Sequence, residues 1–227
     1  MTPRQFKDRL YGQLARLGKA LSSPHRLEIL ELLAQGERTV DSLATELELS
    51  IANVSQHLQA LKQAALVETR KQGLFVHYRL ADPEVFELSR VIRSVAARRL
   101  ADFDRVVREH FSDRDDADAV SVDELLKLSR SKKVVVVDTR PAGEYASGHI
   151  AGAISVPVDE LHRRLEELPK SKDYVAYCRG PYCVYADRAV EILRSSGRRA
   201  RRLVEGFPEW RSAGLPVIDG AAAGLLM

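Results

Sequence analysis

Across residues 112–119 the chain passes from a mostly helical hydrophobic pattern to strands alternating with helices, and that change divides it into two differently built halves. Before it, apolar residues mostly recur at steps of three and four, which puts them on one face of a helix. Phe6, Leu10, Leu14, Leu17 and Leu21 make the first such stripe. Ser23-Pro24 reads as an N-cap with proline at the first helical position; Leu27, Ile29, Leu30, Leu32 and Leu33 follow, and Gly36 closes that helix. Asp41 opens a short helix with Leu43, Ala44 and Leu47 inward. Ser50 caps the next, with Ile51, Val54, Leu58 and Leu61 on its buried face. Two β-rich segments, 66–70 and 74–80, flank Lys71, Gln72 and Gly73 and predict a hairpin. Asp82-Pro83 then starts one long helix over 84–110, apolar along Val85, Leu88, Ile92, Val95, Leu100, Phe103 and Val107.

The segment SDRDDADA, 112–119, has no large apolar residue and reads as a linker. Beyond it strands at 134–137, 153–156, 174–177 and 201–204 alternate with helices at 121–129, 158–168, 185–196 and 207–212. That order predicts an α/β domain with a mainly parallel sheet covered by helices. The expected organisation is a mainly α domain with a β-hairpin over 1–111, a linker over 112–119 and an α/β domain over 120–227.

A composition of 45% hydrophobic and 30% charged residues excludes a disordered or collagen-like chain. Two cysteines five residues apart cannot frame a secreted disulfide scaffold. No apolar run approaches the roughly 20 residues of a membrane helix, and the charged first residues do not read as a signal peptide. The expectation is a soluble protein of the reducing cytoplasm with no membrane partner. Net charge is +3, from 35 basic and 32 acidic residues, so any nucleic acid must be held by a local patch.

The helices at 41–49 and 50–64 are joined by a tight turn, as in a helix-turn-helix whose second helix enters the major groove. Its outward residues are Asn53, Ser55, Gln56, His57, Gln59 and Lys62. Asn and Gln amides read adenine edges, and Ser contacts bases or phosphate. The hairpin adds Arg70, Lys71 and Gln72 as phosphate contacts. Taken singly, each of these also fits a solvated helix face or a charged turn.

The stretches SSPHRLEILELL, TVDSLATELELSIANVSQHLQALKQAALV and ETRKQGLFVHYRL resemble the ArsR/SmtB family of winged helix-turn-helix regulators, over about residues 4–111. The resemblance implies a transcriptional regulator, by the family's habit a repressor, that binds a palindromic double-stranded operator. It also implies a homodimer formed by the helices 3–21 and 84–110. One metal site of that family uses paired cysteines on the helix that 41–49 would form here, which has none. Another uses the last helix, where Asp102, Asp104, Glu109 and His110 do not supply a matching set of His ligands. No metal and no cofactor are expected.

In the second half, a strand at 174–177 runs into CRGPYC, and a helix begins near Val184. A thiol between strand end and helix start meets backbone N–H groups and the positive end of the helix, which favour the thiolate. Gly180 and Pro181 let the loop curl around Cys178, and Arg179 adds a positive charge. The plain alternative is a buried, inert cysteine.

VVVVDTRPAGEYASGHIAGAISVP and GFPEWRSAGLPV resemble the signature and closing motifs of rhodanese sulfurtransferases, over 121–217. Asp138, Arg140, Glu144, Gly148, His149, Ile150, Gly152 and Ala153 occupy the signature; Gly206, Trp210, Gly214, Leu215 and Pro216 the closing motif. The resemblance implies that Cys178 is the nucleophile that takes up a sulfane sulfur as a persulfide. The active loop would be Arg179, Gly180, Pro181, Tyr182 and Val184, and the amides of residues 179–184, that of Cys183 included and Pro181 excepted, would cradle the added sulfur or an anionic donor. Asp138, Arg140 and His149 read as scaffold. Many rhodaneses end this loop in a basic or hydroxyl residue that binds thiosulfate; here it ends in Cys183. Cys183 is either a second thiol that attacks an oxidised or persulfidated Cys178 or a small residue at the helix start. With no arginine at the loop's end, a phosphatase loop fits less well.

Three functions remain open from sequence. One is a regulator whose second half senses or processes reactive sulfur or oxidants through Cys178. Another is a thiosulfate or persulfide sulfurtransferase with an autoregulatory DNA-binding half. The last is a regulator with an inert rhodanese-like module.

Overall fold

The computed structural model of the chain describes residues 1–111, 119–129 and 134–220. The linker expected at 112–119 therefore lies, except for Ala119, outside the described residues. The chain divides into two compact units, Met1–Ser94 and Val95–Met227.

The first unit starts with α1 (Pro3–Leu21), where Thr2 and Gln5 form a capping box, and α2 (Pro24–Gln35). A two-residue strand, β1 (Arg38–Thr39), leads into α3 (Val40–Glu46) and α4 (Ile51–Gln63). Strands β2 (Val67–Gln72) and β3 (Phe75–Leu80) form the hairpin, and α5 (Pro83–Arg99) follows. Its core joins Ile29, Leu30, Leu32 and Leu33 of α2 to Leu43 of α3, Val54, Leu58 and Leu61 of α4, and Tyr78 of β3. The apolar period predicted the α2, α3 and α4 faces, and α4 presents Val54, Leu58 and Leu61 inward as expected.

Several local expectations are corrected. Thr39, not Asp41, caps α3: its backbone is extended and its hydroxyl accepts from Ser42 N at 3.3 Å. Ile51 is exposed, because the first residue of α4 points away from the Val54–Leu58–Leu61 face. Lys71 and Gln72 lie in β2 rather than in the turn, since Gln72 pairs with Phe75 and leaves Gly73-Leu74 as the two-residue loop. Gly73 takes φ +59, the conformation a two-residue hairpin asks of its first loop residue. β1 pairs antiparallel with β3, Arg38 opposite Tyr78.

The long helix expected over 84–110 is two helices. α5 ends at Arg99, Leu100 is extended (φ −106, ψ 106), and α6 (Ala101–His110) starts anew. The charges favour the break: Arg98 and Arg99 sit at the negative end of α5, and Asp102 and Asp104 at the positive end of α6.

The second unit also contains α7 (Val122–Ser129), β4 (Val134–Asp138), α8 (Ala142–Ser147), β5 (His149–Ile150) and β6 (Ile154–Ser155). Then come α9 (Leu161–Arg164), β7 (Asp173–Tyr177), α10 (Val184–Ser195), β8 (Arg199–Arg202), α11 (Phe207–Ser212) and β9 (Val217–Ile218). The main sheet has the order β6-β4-β7-β8 with every pairing parallel. β5 and β9 form a separate antiparallel pair. Helix 158–168 is shorter than expected because Val158 gives its N–H to Thr139 O at 3.2 Å, and the helical part begins at Leu161. β8 starts two residues early, straight after the turn at Gly197 (φ +80).

From β4 the chain goes to β6 on one side, then returns to β7 on the other. Such a reversal of strand order opens a crevice at the carboxyl ends of the strands. Asp138 and Tyr177 end β4 and β7 in register with one another, and Cys178 is the next residue.

Candidate functional site

The strand ends are fixed by a buried polar cluster. Arg140 and Asp138 are fully buried. Arg140 donates from Nε to Asp138 Oδ1 at 3.0 Å, from Nη2 to Oδ2 at 2.6 Å, and from its backbone N–H to Oδ1 at 3.0 Å. Nη2 also reaches the Gly148 carbonyl at 2.8 Å, and the guanidinium lies 4.3 Å from the centre of the Phe207 ring. Burial works against the Arg140 charge, but the hydrogen bonds and charge of Asp138 outweigh it and hold the group protonated. Tyr177 donates its hydroxyl to Asp138 Oδ2 at 2.5 Å and accepts from Ile150 N at 3.2 Å. Burial first, then the Asp138 charge, pushes the Tyr177 phenol well up, so it stays a donor. His149 is buried, stacked on the Tyr145 ring at 3.7 Å, with Nδ1 3.0 Å from the Tyr145 carbonyl.

Cys178 sits on this base, 2% exposed, and forms a disulfide with Cys183, which occupies the N-cap of α10. The Cys183 N–H donates to Gly180 O at 3.2 Å and closes a turn, so that amide does not point to the sulfur as the sequence suggested. Arg179 does not offer a free charge to the loop: Nε and Nη2 meet Glu144 Oε1 at 2.9 and 2.5 Å. Glu144 of the signature thus ties α8 to the cysteine loop. Pro181 is half-buried, while Val184, the first residue of α10, is exposed. Tyr182 faces outward, its ring edge-on to Phe103 of α6 with centroids 5.5 Å apart.

Two further supports were not foreseen. Phe207 N donates to the Cys178 carbonyl at 3.0 Å. Gly206 lies so close to the loop that a Cβ there would stand 2.3 Å from Gly180 N and 2.4 Å from the Arg179 carbonyl carbon. The signal in the sequence was the glycine that opens the closing motif, but its contact with residues 179–180 is not written there. Backbone cannot swing aside, so Gly206→Ala should cost about 1–3 kcal/mol. It should also displace the loop. Thermal denaturation and the rate of Cys178 alkylation after reduction check both effects.

In the first unit, Gln56, Gln59 and Lys62 are placed along α4 with Gln56 and Gln59 exposed, while Ser55 and His57 lie at its flanks. Ser50 accepts from Asn53 N at 3.2 Å, and Lys62 reaches Thr69 Oγ1 at 3.0 Å. His57 meets the His25 ring at 5.4 Å, and burial, then the charges of His25 and Arg26, hold its pKa below the usual value. The face therefore carries a neutral imidazole rather than an extra cation. Arg70, expected on phosphate, is paired with Glu37 through Nη2 at 2.6 Å, and its hydrogen bonds draw the Glu37 carboxyl down. Lys71 and Gln72 are exposed on β2.

Two family models match the chain. The arsR family of bacterial regulatory proteins matches residues 23–69, and the rhodanese-like domain matches residues 121–213. The HTH-type transcriptional regulator Rv0324 of Mycobacterium tuberculosis is 46% identical over 218 residues, 96% of both chains. A sulfurtransferase of Allochromatium vinosum is 33% identical over 92 residues, 40% of this chain and 85% of its own. Among solved structures, the homodimeric winged helix-turn-helix DNA-binding domain of Mb0332 from Mycobacterium bovis is 43% identical. It covers 44% of this chain and 91% of its own, with a TM-score of 0.41.

The fold and these matches define a DNA-binding transcriptional regulator with a winged helix-turn-helix and a rhodanese-like domain. The chain belongs to the arsR family of bacterial regulatory proteins, in the form that carries a rhodanese-like domain after the DNA-binding one. Among the described residues, no helix is long and apolar enough to cross a membrane.

Proposed function

We propose that this regulator binds its operator as a homodimer and is switched by reactive sulfur at Cys178 and Cys183. The observation that carries the reading is the pairing of these two sulfurs across one short loop at the crevice of the sheet. The Cys178 thiolate attacks the sulfane sulfur of a persulfide donor RSSH, forming a persulfide on Cys178 and releasing the thiol RSH. Cys183 then attacks Sγ of Cys178, forming the disulfide and releasing the outer sulfur as hydrogen sulfide. Two thiols are oxidised and the sulfane sulfur is reduced, so no other oxidant is required. The dimer is supported by the apolar stripe of α1, where Phe6, Leu10 and Leu14 are exposed on the single chain.

The test is fluorescence anisotropy with the DNA upstream of the gene, at fixed salt, with inorganic polysulfide titrated in. A coupling of the usual size would weaken operator binding by about 5–150-fold in the native protein. Cys178→Ser should keep its affinity throughout. Equal behaviour of the two proteins would detach the cysteines from DNA binding. The similarity to the Allochromatium vinosum sulfurtransferase favours a second reading, turnover at Cys178 with DNA binding serving autoregulation. Sulfide release from thiosulfate or persulfide, lost in Cys178→Ser, would then be the result.

A further inference from the structure

The loop that joins Cys178 to Cys183 touches α6 through Tyr182, the residue next to Cys183. The Tyr182 and Phe103 rings meet edge-on, at 5.5 Å between centroids and 76° between planes, a preferred geometry for aromatic pairs. No residue of α6 is buried, and Phe103 and Val107 are half-buried. α6 thus has no buried core residue, and this ring contact joins its first turn to the loop. At the same end, three positions before Phe103, α6 is joined to α5 through Leu100, one extended residue between two helices and itself exposed.

The state of the cysteines bears on this contact directly. In a disulfide the sulfurs are about 2.05 Å apart, whereas two separate thiols, or a thiol and a persulfide, stand at nonbonded distance. Opening the bond moves Cys183 at the N-cap of α10, and Tyr182 is its neighbour. A gap of about 0.5–1 Å already forfeits a quarter to a half of a van der Waals contact, so such a movement weakens the ring pair.

We infer that Tyr182 and Phe103 transmit the state of the Cys178–Cys183 pair to α6, and that the Leu100 joint lets α6 bias α5. The inference rests on the thiol-switch reading proposed above and names how the switch is conveyed. Phe103 takes no part in the sulfur chemistry; it is a positioning residue.

The test uses the full-length protein, inorganic polysulfide as the probe, and Phe103→Ala, with Phe103→Tyr as the variant that keeps a ring edge. Intact-mass analysis follows the loss of two hydrogens as the disulfide forms, and anisotropy follows operator affinity in the same samples. In the native protein the disulfide forms and affinity falls by about 5–150-fold. In Phe103→Ala the disulfide forms at the native rate while affinity stays within about twofold of its reduced value, below the usual range of coupling. Phe103→Tyr restores the response. Full release by Phe103→Ala, with the disulfide formed, overturns the transmission role and leaves the thiol switch standing. Unchanged affinity of the native protein despite disulfide formation, or no disulfide at all, overturns the switch and the transmission together. A thermal melt of Phe103→Ala that matches the native one shows that the variant is folded.

Discussion

Replacing Asp138 by alanine is expected to lower the melting temperature of the rhodanese-like domain by roughly 15–30 °C. The carboxylate accepts from Arg140 Nε and Nη2, from the Arg140 backbone and from Tyr177 OH, all without access to water. Its loss leaves the fully buried Arg140 guanidinium without its counterion and takes the acceptor from a buried phenol. Removing one partner of a buried ion pair costs about 3–5 kcal/mol, out of a total domain stability of about 5–15 kcal/mol. For a domain of this size each 1 kcal/mol moves the midpoint by about 4–8 °C. Asp138→Asn keeps an acceptor for Tyr177 and should lie between the two. Calorimetry of the full chain checks the size of the effect and its location. The first unit has a separate core around Leu30, Leu43 and Leu58, and its transition should stay in place. A fall of under about 4 °C would mean that the Gly148 carbonyl and the Phe207 face suffice to hold the Arg140 charge.

The same cluster shows where sequence reading stops. The cysteine at a strand-to-helix turn is a local pattern, and so are the stripes of α2 and α4, because period and punctuation are properties of consecutive residues. Asp138 and Arg140 could be placed on a scaffold, but their partners could not. Tyr177 arrives from the neighbouring strand, and Glu144 meets Arg179 across 35 positions. These are facts of strand register, and register depends on the whole sheet. Strand β8 was displaced for a different reason. Its residues are RARR, and alternation there is between arginine stems, with Ala200 and Arg202 inward, so polarity hides the period. The break at Leu100 failed in the opposite direction. Leu100, Phe103 and Val107 continue the apolar spacing of α5, and the marker was instead the reversal of charge from Arg98-Arg99 to Asp102 and Asp104.

Converting Leu10 and Leu14 together to glutamate should dissociate the proposed dimer and weaken operator binding by at least about 100-fold at fixed salt. Both side chains lie outside the core of the first unit, so the substitution should not unfold it: Leu10 is 44% and Leu14 54% exposed on the single chain. Between protomers the effect reverses, because the added carboxylates of both copies would then face an apolar seam, and isolated charges are not carried into such a seam. In the proposed dimer each protomer would bring one α4, so a monomer would read one half-site and lose the second set of contacts. Specific complexes of DNA-binding proteins lie at about 10⁻⁸–10⁻¹¹ M, and non-specific ones at about 10⁻⁴–10⁻⁶ M, which leaves ample room for that loss. The salt dependence identifies the cause. If half the phosphate contacts vanish, the slope of log affinity against log salt falls to about half, whereas a damaged but intact dimer keeps its slope. Sedimentation supplies the mass independently. A variant that still sediments as a dimer, or that binds with native affinity, would place the seam elsewhere. The stripe Phe6–Leu10–Leu14 would then have to be covered by something other than a second copy of the chain.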